Sequence, residues 1–236
     1  MDTLIYPKVL VCSPISDHHE YCYDEYKSSL KNLSYPNFDI LLVDNSKEEA
    51  FFNRVNKDFP CIKIPYLESV KDRLVTCRNL LREHVLNNNY DYMFCLDQDV
   101  VPPPDVIERL IKNNKSIVSG LYMSSFTRNG ETRICPVAWV YHKENKENLV
   151  FVREDILDTN KTYSVNLVGT GCILIHRDVL SQILFRTEED KEGVDDAFFC
   201  IDVQLLGYKI FLDTSVKCNH LIYNRPFSWG VGDLKT

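Results

Sequence analysis

The sequence lacks an excess of positive charge, a long hydrophobic run and a recognisable leader. Its formal net charge is −7, which argues against a nucleic-acid-binding protein whose affinity comes from neutralising phosphates. No segment approaches the roughly 20 apolar residues that a membrane-spanning helix needs. Residues 1–8 carry an early acid and no apolar core, unlike a signal peptide. We therefore expect a soluble, cytoplasmic protein that binds no nucleic acid.

Two nucleotide-binding signatures and the usual cysteine metal motif are absent as well. No G-x-G-x-x-G follows the first apolar run and no G-x-x-x-x-G-K-[ST] occurs, which disfavours a dinucleotide-binding Rossmann site and a P-loop. The nine cysteines include no C-x-x-C pair. Most of them fall in apolar runs, so we interpret them as reduced, buried thiols in a reducing compartment.

The apolar residues that are present predict an α/β fold. Hydrophobic residues make up 44% of the 236 positions, enough for one large domain or two small ones. Continuous apolar runs predict strands at residues 9–12, 40–43, 62–64, 93–96 and 117–122. Helical patterns between them cover residues 16–33, 47–57, 70–85 and 104–112. Alternating strands and helices of this kind predict a parallel sheet with helices on both faces.

The second half has a different pattern. Residues 124–131 predict a polar loop and residues 185–193 a charged exposed segment. Residues 137–141, 149–152 and 209–212 predict strands, and residues 163–168 lead through a glycine loop into the apolar run 172–175. A helix over 196–206 should end at Gly207, and Val216, Cys218 and His220 should share one face. We interpret the chain as one domain, 1–236, with an N-terminal nucleotide-binding half (1–122), a mixed C-terminal half (123–222) and a tail (223–236).

Two acids end the most prominent apolar run. Residues 93–96 predict a buried strand, and Asp97 and Asp99 follow at its C-terminal end. Because side chains alternate along an extended segment, both carboxylates should point to the same side. An acidic pair is by itself more often a solvated loop. Ligands of open α/β sheets, however, bind at the carboxyl ends of strands, where two carboxylates suit a divalent cation with oxygen ligands.

Taken in order and spacing, several segments resemble the GT-A nucleotide-sugar glycosyltransferases, in particular family 2. The resemblance extends from Val9 to about His220. It is carried by Cys12-Ser13-Pro14, Val43-Asp44-Asn45-Ser46, Arg78-Asn79, Asp97-Gln98-Asp99, Gly169-Thr170-Gly171 and Asp195-Asp196. It implies a GT-A fold, with a Rossmann-like, mostly parallel central sheet flanked by helices and a mixed C-terminal acceptor lobe.

The resemblance implies a metal site. Asp97 and Asp99 resemble the family's DXD pair, which implies that Mn²⁺ or Mg²⁺ bridges the two phosphates of a nucleoside-diphosphate sugar. The cation would neutralise the charge that grows on the leaving diphosphate. In many GT-A enzymes a late histidine completes this site, so His220 is a candidate ligand, although a lone histidine can equally be structural.

The resemblance also implies residues that bind the donor nucleotide. Asp44 would contact the base and ribose, and Pro14 and Ile15 would flank the base. Asp44 can instead be a turn residue that binds its own backbone. Arg78 would lie near the diphosphate and the acidic pair, and its alternative is an ordinary exposed helix arginine. The rigid fork of donors on arginine suits either position.

On the acceptor side, Asp195 and Asp196 resemble the family's E-D pair, with aspartate in place of the first glutamate. This implies that Asp196 is the general base for the acceptor hydroxyl; the shorter first side chain puts the role of Asp195 in doubt. Both acids also suit a helix N-terminus. Gly169 and Gly171 resemble an acceptor-side loop, where glycine permits close backbone approach. Trp229 would stack on a sugar or dock on the surface.

The expected protein is thus a metal-dependent hexosyltransferase that works with inversion. Its donor is a nucleoside-diphosphate sugar, UDP rather than GDP, and its acceptor a hydroxyl of a glycan, a lipid-linked molecule or a protein. A lipid-linked acceptor would bring the chain to a membrane surface without a span. One alternative is a sugar nucleotidyltransferase, which needs a Gly-rich loop where Ser13-Pro14-Ile15-Ser16 stands. The other is a non-catalytic nucleotide-sugar or glycan-binding module.

Overall fold

The computed structural model describes residues 6–128, 130–145, 148–189, 195–222 and 225–226. Its strands are β1 (Val9–Ile15), β2 (Phe38–Asp44), β3 (Cys61–Lys63), β4 (Tyr92–Leu96), β5 (Val100–Val101), β6 (Ile117–Leu121), β7 (Met123–Arg128), β8 (Glu131–Pro136), β9 (Ala138–Tyr141), β10 (Leu149–Phe151), β11 (Thr162–Val165), β12 (Leu167–Val168), β13 (Cys172–His176), β14 (Ile210–Lys217), β15 (Asn219–Ile222) and β16 (Arg225–Pro226). The helices are α1 (Tyr23–Lys31), α2 (Glu49–Val55), α3 (Val70–Asn87), α4 (Val106–Lys112), α5 (Arg177–Leu180) and α6 (Asp195–Leu205), with 3₁₀ helices at Asp17–Cys22 and Glu154–Ile156.

An eight-stranded sheet forms the centre of the fold, in the order β3-β2-β1-β4-β13-β6-β14-β11. Parallel pairs join β1 to β2 and β4, β2 to β3, and β6 to β14. Strand β13 runs antiparallel between β4 and β6, and β11 runs antiparallel to β14. The predicted α/β fold with a mostly parallel sheet is therefore confirmed.

Helices cover both faces of this sheet, as the continuous apolar strands predict. Leu10 and Cys12 of β1 belong to one core cluster, which includes residues of α3 and α6. Val9 and Val11 alternate with them and belong to a second cluster, which includes residues of α1 and α4. The carboxyl ends of β1 and β4 thus lie at one edge of a layered α/β core, where ligands of such sheets bind.

The first predicted helix is kinked. Ser16 caps its start by accepting from the backbone of His18, but His19 leaves the helical region with φ −108° and ψ 19°. A 3₁₀ helix therefore precedes α1 directly, and its residue His19 accepts a hydrogen bond through its carbonyl from Gln98, which follows β4.

The prediction of a polar loop over 124–131 is wrong, because β7 and β8 form an antiparallel hairpin there. Serine and threonine alternate with Phe126 along β7, which is compatible with a strand that has one polar side. The sequence pair Asn129-Gly130 at its end is a strong hairpin signal. Gly130 has φ +81°, a left-handed value that glycine adopts without strain.

The prediction of an exposed segment over 185–193 is wrong at its first residue. Phe185 is buried and stacks on Phe199 of α6 with ring centroids 5.4 Å apart. Residues 190–193 lie outside the described part of the chain. Gly207 ends α6 as expected, with φ +85°. The periodicity of this helix predicts that Phe199, Val203 and Leu206 share its apolar face; Phe199 and Val203 are buried, whereas Leu206 is half-exposed.

The described residues also bear on disulfide bonds and membrane-spanning helices. No disulfide joins any of the nine cysteines, all of which fall within the described ranges. Among the helices in those ranges, none combines the length and the apolar character required to cross a bilayer.

Candidate functional site

A cleft of about 560 Å³ opens at the carboxyl ends of β1 and β4. Eight residues selected from the sequence line it: Pro14, Ile15, Arg78, Asp97, Asp99, Asp195, Asp196 and His220. Three others, Asp44, Gly169 and Gly171, do not. Trp229 lies outside the described residues. The fold thus brings acids from two distant parts of the chain into one cavity.

The acidic pair lies on a turn rather than on the expected extended segment, since the Val100 amide donates to the Asp97 carbonyl over 2.9 Å. Asp97 and Asp99 are partly exposed and both line the cleft, while Gln98 between them is buried. The Gln98 side chain accepts from the Ser16 amide and donates to the His19 carbonyl, both over 2.9 Å. Sequence reasoning missed Gln98, which ties the loop after β1 to this turn.

Arg78 binds three other side chains of the site. Its side chain is buried on α3, and its Nη2 donates to Asp97 Oδ1 and to Thr170 Oγ1, both over 2.7 Å. Its Nε donates to Asp195 Oδ2 over 3.2 Å. Burial disfavours the guanidinium charge, but the neighbouring charges, Asp97 foremost, outweigh it and raise the Arg78 pKa. The alternative of an exposed helix arginine therefore does not describe this residue.

One Arg78 nitrogen, Nη1, is buried with no hydrogen-bond partner within the described ranges. An unpaired buried donor costs free energy. Because Arg78 lines the cleft, an oxygen of a bound ligand would remove this cost.

Thr170, which binds Arg78, was not selected from the sequence. Its position between Gly169 and Gly171 was the signal that could have identified it.

Asp195 and Asp196 begin α6, where their charge also suits the helix dipole. Asp195 is buried against Arg78, and burial raises its pKa. Asp196 Oδ1 accepts from the Ala197 amide over 2.7 Å. Burial, and then the charge of Asp195, raise the pKa of Asp196 to about 7. A carboxylate with this pKa can accept a proton near neutral pH, so Asp196 has the properties of a general base.

Asp99 and His220 form a pair at the other side of the cleft. His220 Nε2 lies 3.1 Å from Asp99 Oδ2, and its Nδ1 lies 2.8 Å from the Met123 carbonyl. His19 Nε2 lies 3.7 Å from the same Asp99 oxygen. Burial opposes the Asp99 charge, but the hydrogen bond from His220 and the imidazole charges outweigh it and lower the Asp99 pKa. The same contact raises the pKa of His220 against the effect of burial.

Asp99 and His220 offer two of the ligand atoms that a divalent cation needs. The Met123 carbonyl can only accept, so His220 Nδ1 carries a proton and Nε2 can hold either a proton or a metal ion. A carboxylate oxygen and an imidazole nitrogen suit Mn²⁺. Among the described residues there is no cluster of three or more His, Cys, Asp or Glu side chains able to hold a metal ion. The remaining ligands would come from phosphate oxygens and water, as is common for magnesium sites in proteins.

Asp44 is fully buried at the end of β2. Lys63 Nζ lies 2.7 Å from its Oδ2, and the Ser46 hydroxyl and amide both donate to its Oδ1. These contacts match a structural turn residue. The adjacent Asn45 lines the cleft instead, and a role of Asp44 at the ribose stays a prediction.

Gly169 and Gly171 make room for Tyr122. A Cβ at Gly169 would lie 2.1 Å from the Tyr122 hydroxyl oxygen, and this oxygen accepts from the Gly171 amide over 3.2 Å. The Tyr122 ring meets the His220 ring edge-on at 5.4 Å. No local sequence signal marks Tyr122, because its contacts come from segments about 50 to 100 residues away in the sequence.

The chain was compared with protein families, curated proteins and solved structures. The family model "Glycosyl transferase family 2" matches residues 25–184, about two thirds of the chain. Among curated proteins the search found no significant match.

Similar solved structures include a crystal structure of GalNAc-T7 with UDP, GalNAc and Mn²⁺, at 12% identity and a TM-score of 0.64 over 92% of this chain and 44% of that one. S. aureus TarS 1–349 in complex with UDP-GlcNAc is similar at 14% identity, with a TM-score of 0.55 over 89% and 58%. A197 from STIV shares 16% identity, with a TM-score of 0.47 over 91% and 86%.

The likeness to GalNAc-T7 and TarS shows a shared GT-A fold, and this chain spans about half the length of each. The family assignment depends on the family model, which covers the acidic turn, Arg78 and the Gly169–Gly171 loop within its matched range. The matched range extends from within α1 to just beyond α5, and the chain belongs to glycosyl transferase family 2.

Proposed function

We propose that the chain is a metal-dependent hexosyltransferase that moves a sugar from a nucleoside-diphosphate donor to a hydroxyl acceptor with inversion. The observation that carries the proposal is the position of Arg78, whose guanidinium contacts Asp97 and Asp195 in one cleft. The Asp99–His220 pair lines the same cleft. Groups suited to a leaving diphosphate and a base suited to an acceptor therefore lie in one cavity.

The donor end of the site consists of the acidic turn and the end of β1. Asp99 and His220 would hold Mn²⁺ or Mg²⁺, which neutralises the charge that grows on the leaving diphosphate. Asp97, oriented by Arg78, would face the ribose or the waters of the cation. Pro14 and Ile15 line the cleft at the end of β1, where they would flank the base. The GalNAc-T7 and TarS structures contain UDP and UDP-GlcNAc, which supports uridine over guanosine.

The acceptor end contains Asp196. Its carboxylate takes the proton of the acceptor hydroxyl as the acceptor oxygen attacks the anomeric carbon. The bond from that carbon to the diphosphate oxygen breaks on the opposite face, so the configuration inverts. Asp195, held by Arg78 over 3.2 Å, positions the start of α6 and does not itself need to exchange a proton.

The donor site is tested by thermal shift and calorimetry with UDP, GDP, UDP-glucose and UDP-GlcNAc, each with and without MnCl₂. A ligand that binds only the folded state raises its apparent stability. We expect a uridine diphosphate to raise Tm only with the metal, and Asp99→Ala to remove this shift. Asp105→Ala, which changes a half-exposed acid outside the cleft, should leave it intact. Binding of none of these nucleotides would refute the donor assignment.

The catalytic assignment is tested by Asp196→Asn. The variant should lose transfer by about 10²–10⁴-fold, the usual contribution of a general base, while donor binding persists. Loss of donor binding with transfer retained would contradict the assignment. Donor binding by the wild-type chain without any hydrolysis or transfer would favour a binding module instead.

A further inference from the structure

Two aromatic side chains form a wall of the cleft. Phe126 of β7 and Trp139 of β9 both line the cavity and are half-buried. We propose that these two rings bind a carbohydrate, so that the acceptor of the transfer is a sugar hydroxyl. The identification of this sugar as the acceptor depends on the function proposed above, whereas its binding to the wall does not.

The two rings are held in a fixed arrangement. Trp139 and Phe126 meet edge to face with centroids 5.7 Å apart. Phe151 of β10 supports both, at 5.3 Å from Trp139 and 5.0 Å from Phe126. Aromatic pairs in such geometries attract each other beyond simple burial. The rings that face the cavity are therefore ordered before any ligand arrives, which lowers the entropic cost of binding.

The backbone of Trp139 is fixed on both sides. Trp139 lies on β9, the central strand of a three-stranded sheet, where it pairs with Phe151 of β10 on one side and Leu167 of β12 on the other. Its carbonyl also accepts from the Asn166 amide over 2.8 Å. Strand β12 ends at Val168, and Thr170, two residues further along, accepts from Arg78 through its hydroxyl. A few residues of backbone thus connect Trp139 to the contact between Thr170 and Arg78.

The lining of the cleft combines flat aromatic faces with hydrogen-bonding groups. Ser124, Thr170 and Asp196 line the same cavity as the two rings. A pyranose has an apolar face of C–H bonds and a rim of hydroxyls, so it uses both kinds of surface at once. A polyprenyl chain needs a continuous apolar channel, and the hydroxyls and carboxylate interrupt this one. The chemistry of the wall therefore favours a sugar ring over a lipid chain.

Sugar binding is measured directly, without donor or metal, by saturation-transfer NMR and calorimetry. The probes are cellobiose, chitobiose, lactose and maltotriose, with a Ser/Thr-containing peptide and a short polyprenyl phosphate as the other acceptor classes. We expect one of the sugars to bind, with saturation strongest on the C–H protons of one ring face. Trp139→Ala and Phe126→Leu should each weaken this binding by about tenfold, the scale of one aromatic contact.

Two controls separate a binding role from a structural one. Tyr141→Ala removes an exposed aromatic two residues along β9, outside the cleft, and should leave sugar binding unchanged. Trp139→Phe keeps a flat ring and should retain most of it. If Trp139→Ala fails to fold, the loss of sugar binding in Phe126→Leu tests the wall.

The outcomes distinguish this inference from the proposed function. Sugar binding without binding of any uridine nucleotide would support the aromatic wall and refute the transferase. Three results would overturn the wall as a sugar site. They are nucleotide binding with no sugar bound, sugar affinity in Trp139→Ala and Phe126→Leu equal to that of the wild type, and binding of the peptide or polyprenyl phosphate alone.

Discussion

Asp97 and Asp195, 98 positions apart in the sequence, bind the same guanidinium. Arg78 donates to Asp97 from Nη2 over 2.7 Å and to Asp195 from Nε over 3.2 Å. The turn after β4 and the start of α6 are therefore joined through a residue of α3. In the proposed reaction these are the leaving-group side and the base side, so one buried charge sets their separation.

Removing that charge should destabilise the fold. Arg78→Ala leaves Asp195 buried without its cation, and breaking a buried ion pair typically costs about 3–5 kcal/mol. Arg78→Lys should recover only part of this, because an ammonium cannot reproduce the fork that contacts two acids. Urea unfolding measures the free energies. Arg109→Ala breaks a half-exposed pair with Asp105 and should cost about 0–1 kcal/mol; equal losses at both sites would contradict the role of Arg78.

The stability of the fold should depend on pH through Asp196. Its pKa is raised from 3.8 to about 7, so between these values the folded state holds a proton that the unfolded state has lost. Stability contributed by this proton therefore falls as pH rises through the window and is gone above about 7. Asp196→Asn should be more stable than the wild type at pH 8 by a few kcal/mol, since each pKa unit corresponds to about 1.4 kcal/mol.

Unfolding free energies at pH 4, 6 and 8 measure this difference, which should grow with pH and level off above about 7. Asp72→Asn changes an exposed acid in the first turn of α3 and should show no such growth. A difference between Asp196→Asn and the wild type that stays constant over the range would refute the buried titration.

Metal-dependent donor binding should require His220. Because Nδ1 faces the Met123 carbonyl, the ring presents Nε2 toward Asp99. His220→Ala should lose most of the rise in Tm that UDP and MnCl₂ produce together, while His142→Ala, an exposed histidine outside the cleft, should keep it. Thermal shift at several MnCl₂ concentrations measures the effect, and an unchanged shift in His220→Ala would remove this residue from the site.

The packing of Tyr122 against the glycine loop should appear as energetic coupling. Gly169→Ala places a methyl group 2.1 Å from the Tyr122 hydroxyl, and overpacking of this kind costs about 1–3 kcal/mol. Tyr122→Phe removes the clashing oxygen, so the double variant should recover part of that loss. Recovery is incomplete because Val137 would remain 2.8 Å from the new methyl group. Denaturant unfolding of all four proteins measures the coupling; additive losses would argue against the contact.

Much of the central sheet could be predicted from the sequence because its signals are local. The run 93–96 is apolar enough to place β4 within one residue. The helical spacing of Val70, Leu74, Cys77, Leu81 and Val85 places α3; the last three of these residues are buried, whereas Val70 is exposed. The same local rules explain the error at β7 and β8, where polar residues on a strand with one solvated side were interpreted as a loop.

The candidate site was only partly visible in the sequence. The resemblance to family 2 identified the acids and Arg78, but it also led to Asp44, Gly169 and Gly171, which the structure places outside the cleft. All three positions are occupied by contacts within the protein that keep them away from the cleft. Lys63 and Ser46 bind the Asp44 carboxylate, and Tyr122 occupies the space beside both glycines.

By itself the sequence determined the α/β class, the principal strands and helices, and the family, because periodicity and motif order are properties of neighbouring residues. Only the tertiary structure decided that Arg78 is buried between two acids, that Tyr122 fills the glycine loop, and that Phe126 and Trp139 face the same cleft as Asp196. These contacts join residues far apart in the chain, and they depend on how the sheet and its covering helices pack together.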